Sequence, residues 1–198
     1  MNTLQGRKIL LGVTGSIAAY KSLLLLRLLT KAGAEVQVIL TKNAHDFVGE
    51  LSFSTLSNKP VYTDLKNDHE WQNHVELGLW ADLILIVPAS AHTIAKFRCG
   101  MVDNLLTAVY LSARCPVMIS PAMDLDMWQH PATQDNLQVL VNRGHFIIPV
   151  ENGPLASGLT GPGRLAEPDQ ILFHVNSFFY QTSELSGQKI LITAGPTH

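Results

Sequence analysis

The chain has 198 residues, 46% of them hydrophobic and 15% charged, with a net charge of -2. That balance suits one globular domain with a covered sheet and supplies no basic field for nucleic acid or an anionic membrane. No apolar run reaches membrane-spanning length, MNTLQGRK lacks an apolar signal core, and Cys99 and Cys115 form neither a disulfide framework nor a CxxC pair, so a cytoplasmic location is expected.

In chain order, KILLGV (Lys8 to Val13) predicts a first strand. Ser16 to Ala32 predicts a helix with Leu23 to Leu26, Leu28 and Leu29 on its buried face, stopped by Gly33. EVQVIL (Glu35 to Leu40) predicts a second strand, and a less periodic stretch runs from Thr41 to Asp82. LILIV (Leu83 to Val87) is the clearest buried strand. Helical patterns follow at Ala91 to Phe97 and Asp103 to Ser112, then a strand VMIS (Val117 to Ser120), a helix from Thr133 to Arg143, and a strand HFIIPV ending at Val150. Glu151 to Pro168 holds four glycines and three prolines in eighteen residues, which predicts a long, patterned loop before a helix from Pro168 to Tyr180. Strands alternating with helices define an α/β fold, a doubly wound (Rossmann- or flavodoxin-like) parallel sheet with helices on both faces. The tail GQKILITAGPTH echoes the opening GRKILLGVTG after a polar hinge (Gln181 to Ser186). Residues 1–180 are therefore expected to form one domain, and 181–198 a linker and the first strand (Lys189 to Thr193) of a second α/β domain in a longer protein.

Two turns carry the functional signal. In GVTGSIAAYKS (Gly12 to Ser22), Gly15 frees the backbone and Ser16 can cap the helix, so unpaired N–H groups and the helix dipole face an anion such as phosphate. A plain, well-capped tight turn is the competing reading. The pattern is neither GxxxxGK[ST] nor GxGxxG, and the second strand leads into Thr41 rather than an acid, which weakens nucleoside triphosphate and dinucleotide readings. VPASAHT (Val87 to Thr93) puts small and hydroxyl residues at the carboxyl end of a central strand, where open α/β sheets bind ligands. Ser90 and Thr93 leave room there for a flat ring or ribityl chain, although helix capping by Ser90 explains the serine equally well.

Six motifs then occur in order: GxxGSIAAYK (Gly12 to Lys21), a histidine six residues before WAD (His74, Trp80 to Asp82), PASAxT (Pro88 to Thr93), KxxxGxxDNLLT (Lys96 to Thr107), PAMxxxMW (Pro121 to Trp128), and a Gly-rich loop ending GRLAEP (Gly163 to Pro168). Together they resemble the homo-oligomeric flavin-containing cysteine decarboxylases, nearest the decarboxylase half of bifunctional phosphopantothenoylcysteine decarboxylase/phosphopantothenate–cysteine ligase. ILITAGPT resembles the opening strand of the ligase half. The resemblance implies FMN, with its phosphate at Gly15, Ser16 and Ile17, its ribityl and ring along Ser90, Ala91, His92 and Thr93, and further contacts from Thr41, Ala122 and Met123. It implies that the cysteine thiol of 4'-phosphopantothenoylcysteine is oxidised to a thioaldehyde with hydride passing to the flavin, that CO2 then leaves, and that re-reduction gives 4'-phosphopantetheine. It also implies trimers, often grouped into dodecamers, with sites between subunits. The Leu-rich and Trp-bearing segments (Trp71, Trp80, Trp128) suit such an interface or simply a core.

By the same resemblance His74 is the active-site histidine, suited to managing the thiol proton, whereas by itself it reads as a solvent-facing residue at a helix start. The other histidines show no metal-ligand spacing, and His69 and His74 would sit on different sides of a helix, so no metal is expected. Three positions depart from the family. Asp124 stands where relatives carry an asparagine that engages the substrate carboxylate. Two such charges ~4 Å apart repel by about 1 kcal/mol in water and about 4 kcal/mol at an effective dielectric of 20. Asp124 is thus protonated, or contacts another substrate group, or weakens binding; the plain alternative is a residue capping the following turn. Ser157 replaces a cysteine assigned as the acid of the final reduction, and a hydroxyl is a poorer proton donor. His92 replaces an asparagine and keeps hydrogen-bonding capacity. Catalytic roles are therefore expected at His74, Asp124 and Ser157. The alternatives are a non-catalytic FMN-binding regulatory module, or a peptidyl-cysteine decarboxylase in which the final reduction is absent.

Overall fold

The computed structural model describes residues 3–183 except 65, 68, 69 and 72, with only the backbone described at 66, 67, 70, 71 and 181–183. The expected ligase strand (Lys189 to Thr193), His69 and the side chain of Trp71 lie outside the described residues. The elements run β1 (Lys8–Val13), a 3-10 turn (Ile17–Ala19), α1 (Tyr20–Lys31), β2 (Glu35–Leu40), a 3-10 turn (Lys42–Asp46) and α2 (Glu50–Ser57). Then come β3 (Val61–Tyr62), β4 (Lys66–Asn67), β5 (Glu70–Trp71), α3 (His74–Trp80), β6 (Leu83–Ala89), α4 (Ala91–Cys99), α5 (Leu105–Ser112) and β7 (Val117–Pro121). The described chain ends with α6 (Leu125–Gln129), α7 (Pro131–Asn142), β8 (Phe146–Ile147), β9 (Glu151–Pro154), β10 (Thr160–Arg164) and α8 (Pro168–Ser183).

The main sheet has six strands in the order β3-β2-β1-β6-β7-β8, and its neighbouring strands pair in parallel. It is the doubly wound arrangement expected from the alternation, with the winding reversing between β1 and β6. Period-2 alternation sorts each strand onto two cores. Ile9, Leu11 and Val13 of β1, with Leu83, Leu85 and Val87 of β6, join a core shared with α1, α2 and α8. Leu10, Ile84 and Ile86 point the other way, into a core with α3, α4, α5 and α7. This two-sided burial is why the strands read as continuous apolar runs.

Local chemistry sets the helix ends. Asn104 and Thr107 form a capping box on α5, so that helix starts at Leu105 rather than Asp103. His130 caps α7 through Nδ1, which accepts the Ala132 N–H at 3.1 Å, and Pro131 takes the first helical position. Lys96 pairs with Asp103, so the KxxxGxxDNLLT motif serves the α4–α5 junction.

Two expectations are corrected. The strand ending at Val150 shrinks to Phe146–Ile147: the last rung is the Ile148 N–H donating to Ile119 O at 2.8 Å, and Pro149, lacking an N–H, ends the ladder. Glu151 to Pro168, expected as a loop too patterned for a simple connector, contains two strands. Its ends pair antiparallel as the hairpin β9–β10, with a register shift between Pro162 and Arg164.

Beside β8, the Tyr110 hydroxyl and His145 Nε2 share a hydrogen bond of 2.6 Å. Burial, aided by Arg143, lowers the His145 pKa from 6.5, and burial raises that of Tyr110, so the fold favours the neutral form of both groups. The unfolded chain therefore takes up a proton on His145 first as pH falls. Stability is lost below about pH 6.5, down to the lower folded value. The drop in Tm between about pH 7 and about pH 5 is expected to shrink in His145→Gln; equal drops in both proteins would contradict this linkage.

Candidate functional site

The turn after β1 and the turn after β6 meet at the winding reversal. The Thr14 hydroxyl donates to Pro88 O at 2.8 Å and accepts the Ser90 N–H at 2.9 Å, tying the two turns together. The Ser22 hydroxyl donates to Val87 O at 2.7 Å and fixes α1 against the same strand end. Gly15 is required by a close approach: a Cβ there would lie 2.7 Å from Asn43 Cβ and 2.9 Å from Asn43 O. Ser16 is extended (φ -162, ψ 147) and its hydroxyl accepts the Ala18 N–H at 3.2 Å, so a 3-10 turn leads into α1 where a continuous helix was expected.

A cavity of about 390 Å³ opens beside this turn. Ser16, Ile17 and Ala18 form one wall, Ala122, Met123 and Asp124 a second, and Leu155, Ala156, Arg164 and Leu165 of the hairpin segment a third. The hairpin is seated through backbone contact, because the Met123 N–H donates to Gly163 O at 3.0 Å. Gly163 has φ +128, and a Cβ there would lie 2.5 Å from Met123 O. Gly163→Ala should unseat the hairpin and speed hydrogen exchange at the Met123 amide; unchanged exchange would mean that the hairpin reseats.

Five of the residues expected from sequence, Ser16, Ile17, Ala122, Met123 and Asp124, share this cavity. Asp124 is half-buried and caps α6, and its Oδ1 accepts the Leu125 N–H at 2.6 Å. Ser90 caps α4, with the buried Thr93 three residues on, while Ala91 is half-buried and His92 is exposed. These four adjoin the first turn through Thr14 without lining the cavity. Thr41 follows β2 and donates its N–H to Val13 O at 3.0 Å, beside the same turn. Ser157 is exposed near the hairpin tip, next to Ala156 of the cavity wall, and its hydroxyl accepts the Leu159 N–H at 3.4 Å. His74 is half-buried at the first position of α3 and does not line the cavity.

The sequence reading assigned no role to the ion network beneath the hairpin. Lys21 is nine-tenths buried; its Nζ lies 2.7 Å from Glu167 Oε1 and donates to Leu165 O at 3.4 Å. Arg164 Nη2 lies 2.8 Å from the same Glu167 oxygen, and Arg164 Nε lies 3.9 Å from Glu151 Oε2. Hydrogen bonding to Lys21, with support from Arg164, lowers the Glu167 pKa below the usual carboxylate range. A lysine on the apolar face of a Leu-rich helix was the available signal, since a buried ammonium demands a partner.

The donor-lined turn, the small-residue walls and the position at the strand carboxyl ends define a nucleotide-type cofactor site of a doubly wound α/β protein. The chain belongs to the Flavoprotein family, whose model matches residues 1–179. It is 52% identical over 153 residues to a cysteine/cysteine sulfinic acid decarboxylase from an unknown prokaryotic organism, covering 74% of this chain and 43% of that protein. It is 44% identical over 199 residues to the coenzyme A biosynthesis bifunctional protein CoaBC of Vibrio parahaemolyticus, covering 100% of this chain and 50% of that protein. The chain thus spans about half the length of these relatives. Among solved structures, a mutant PPC decarboxylase complexed with pantothenoylaminoethenethiol is similar at TM-score 0.81 and 34% identity, covering 89% of this chain and 100% of that one. The FMN-binding protein AtHal3 is similar at TM-score 0.78 and 34% identity, covering 89% and 98%. Among the described residues no helix is long and apolar enough to cross a membrane, and no cluster of three metal-ligating side chains occurs.

Proposed function

We propose that this protein binds FMN and decarboxylates 4'-phosphopantothenoylcysteine on the way to 4'-phosphopantetheine, a step of coenzyme A biosynthesis. The observation that carries this reading is the cavity joining the serine turn to Ala122, Met123 and Asp124 under a seated hairpin. It lies in a chain matched from end to end by bifunctional coenzyme A biosynthesis proteins.

The residues present fit a flavin mononucleotide. Gly15, Ser16 and Ile17 offer a tight, N–H-rich bend for a phosphate. Ser90, Ala91, His92 and Thr93, with Thr41 across the bend, would follow the ribityl chain and ring. Ala122 and Met123 would close over it, since Ala122 donates to Ala89 O at 3.1 Å and fixes that loop to β6. When bound, the flavin supplies a two-electron acceptor for the substrate thiol. The chain's own part is to hold the cysteine end beside Asp124, shield it under the hairpin that carries Ser157, and manage the thiol proton through His74.

His74 lies off this cavity, which supports completion of the site by a second copy in a homo-oligomer, a trimer or dodecamer. Ile17, Tyr20 and Leu24 expose an apolar stripe beside the serine turn, and Val75 and Leu79 expose another beside His74. A contact pairing the two would bring the imidazole to the cavity. The match to bifunctional relatives across the whole chain also supports reading 1–180 as the flavin domain and 181–198 as the opening of a ligase unit, in a cytoplasmic enzyme.

The purified protein should be yellow, release FMN on denaturation, and evolve CO2 from 4'-phosphopantothenoylcysteine, with turnover lost in His74→Asn. A colourless protein that refuses added FMN would refute this function.

A further inference from the structure

At the opposite end of β1 from the serine turn, the segment before the strand and α8 enclose a second cavity of about 390 Å³, as large as the first and sharing none of its described residues. Phe173, Asn176, Ser177 and Tyr180 line it at helical spacing, so one face of α8 forms a wall. Phe173 and Tyr180 are exposed and lie about two turns apart, while Phe179 is buried. Arg7 carries the only charge among the described lining residues, and its guanidinium carbon sits 4.8 Å from the Phe179 ring centroid. Among the described residues no carboxylate pairs with it. The Thr3 hydroxyl donates to Asn176 Oδ1 at 2.9 Å, which leaves the Asn176 NH2 to donate. The frame is firm. Arg7 N–H donates to Leu4 O at 3.0 Å, the Arg7 carbonyl accepts the Glu35 N–H at 2.8 Å, and Leu4 is fully buried.

We propose that this cavity is a second ligand site, which takes a small flat aromatic molecule carrying one anionic group, a carboxylate or a phosphate. An unanswered guanidinium beside an amide donor favours an anion, and its bonds to one are charge-assisted. Aromatic side chains give a flat ring a surface to stack on. The volume falls in the usual range of small-ligand pockets, about 300–1,000 Å³. Neither half of the ligand suffices alone: a bare inorganic anion leaves the apolar walls wet, and a neutral ring leaves Arg7 unanswered. A ligand held here touches Arg7 on one side and α8 on the other, so it clamps the segment before β1 to the last described helix. Binding to the folded form alone then raises stability by mass action.

The test is calorimetry on the FMN-loaded full chain, so that the first cavity is already filled. The probes are 1-naphthoate and adenosine 5'-monophosphate, each set against its neutral counterpart, 1-naphthalenemethanol or adenosine. A ring-bearing anion should bind one per chain with a Kd below about 1 mM, raise Tm, and leave the flavin in place. It should bind at least about tenfold more tightly than its neutral counterpart. Binding of the carboxylate alone, or of the phosphate alone, supports the site and identifies its anion. Arg7→Gln should weaken the anion at least about tenfold and bring it level with the neutral molecule. Phe173 is 66% exposed, so Phe173→Ser spares the core, and it should weaken both members of a probe pair alike. That variant decides the matter if Arg7→Gln does not fold. No binding by either anion overturns the proposal. So does equal affinity for an anion and its neutral counterpart, release of FMN by the probe, or affinity unchanged by the substitutions.

Discussion

Replacing Glu167 with alanine is expected to lower stability by about 2–3 kcal/mol, a fall in Tm of roughly 5–10 °C for a domain of this size. The cause is the ammonium left behind. Lys21 has a side-chain exposure of only 7%, and without Glu167 its remaining partner is Leu165 O at 3.4 Å. Removing one member of a buried pair costs about 3–5 kcal/mol when the survivor stays dry, and the 41% exposure of Glu167 admits some water, hence the smaller figure. The double variant Lys21→Met, Glu167→Ala removes the stranded charge and should recover part of the loss. Thermal unfolding of the four proteins in a double-mutant cycle measures the coupling, and strictly additive losses would show that the pair is not coupled. Acid acts on the same link. Because the folded-state pKa of Glu167 is depressed, its contribution is present above the ordinary glutamate range and fades as pH falls through the lower folded value.

A second large effect is expected at Gly15. A methyl group there meets the Cβ and the backbone carbonyl of Asn43, atoms that cannot swing aside as a side-chain tip would. Either the turn after β1 or the 3-10 turn after β2 must move, and both border the proposed FMN phosphate and Thr41. Gly15→Ala should raise the dissociation constant for FMN at least about tenfold, equivalent to about 1.4 kcal/mol, as read by flavin fluorescence. Gly49→Ala is the control, because a Cβ on Gly49 meets nothing within 4 Å. Equal FMN affinity in the two variants would remove Gly15 from the cofactor site.

What the sequence makes legible follows from where information is local. The strands around Leu10 and Leu85 declare themselves because both sheet faces are buried, and the first turn does so because a glycine and a capping serine sit at a strand end. The hairpin stays hidden because its strands, ENGP and TGPGR, carry no hydrophobic alternation. Its glycines serve close approach instead: a Cβ on Gly161 would press within 2.5 Å of a Leu125 methyl carbon, as one on Gly163 would on Met123. The Lys21–Glu167 pair joins residues 146 positions apart, beyond the reach of any local pattern. His74 is singled out only by the family resemblance, through its spacing to the WAD segment, and that spacing says nothing about which cavity the ring faces.

The rims of the main sheet carry a last consequence. β3 and β8 are two residues long, so each lateral border offers a foreign strand scarcely one rung of backbone pairing. Edge-to-edge stacking of these rims into fibrils is thereby starved of a template.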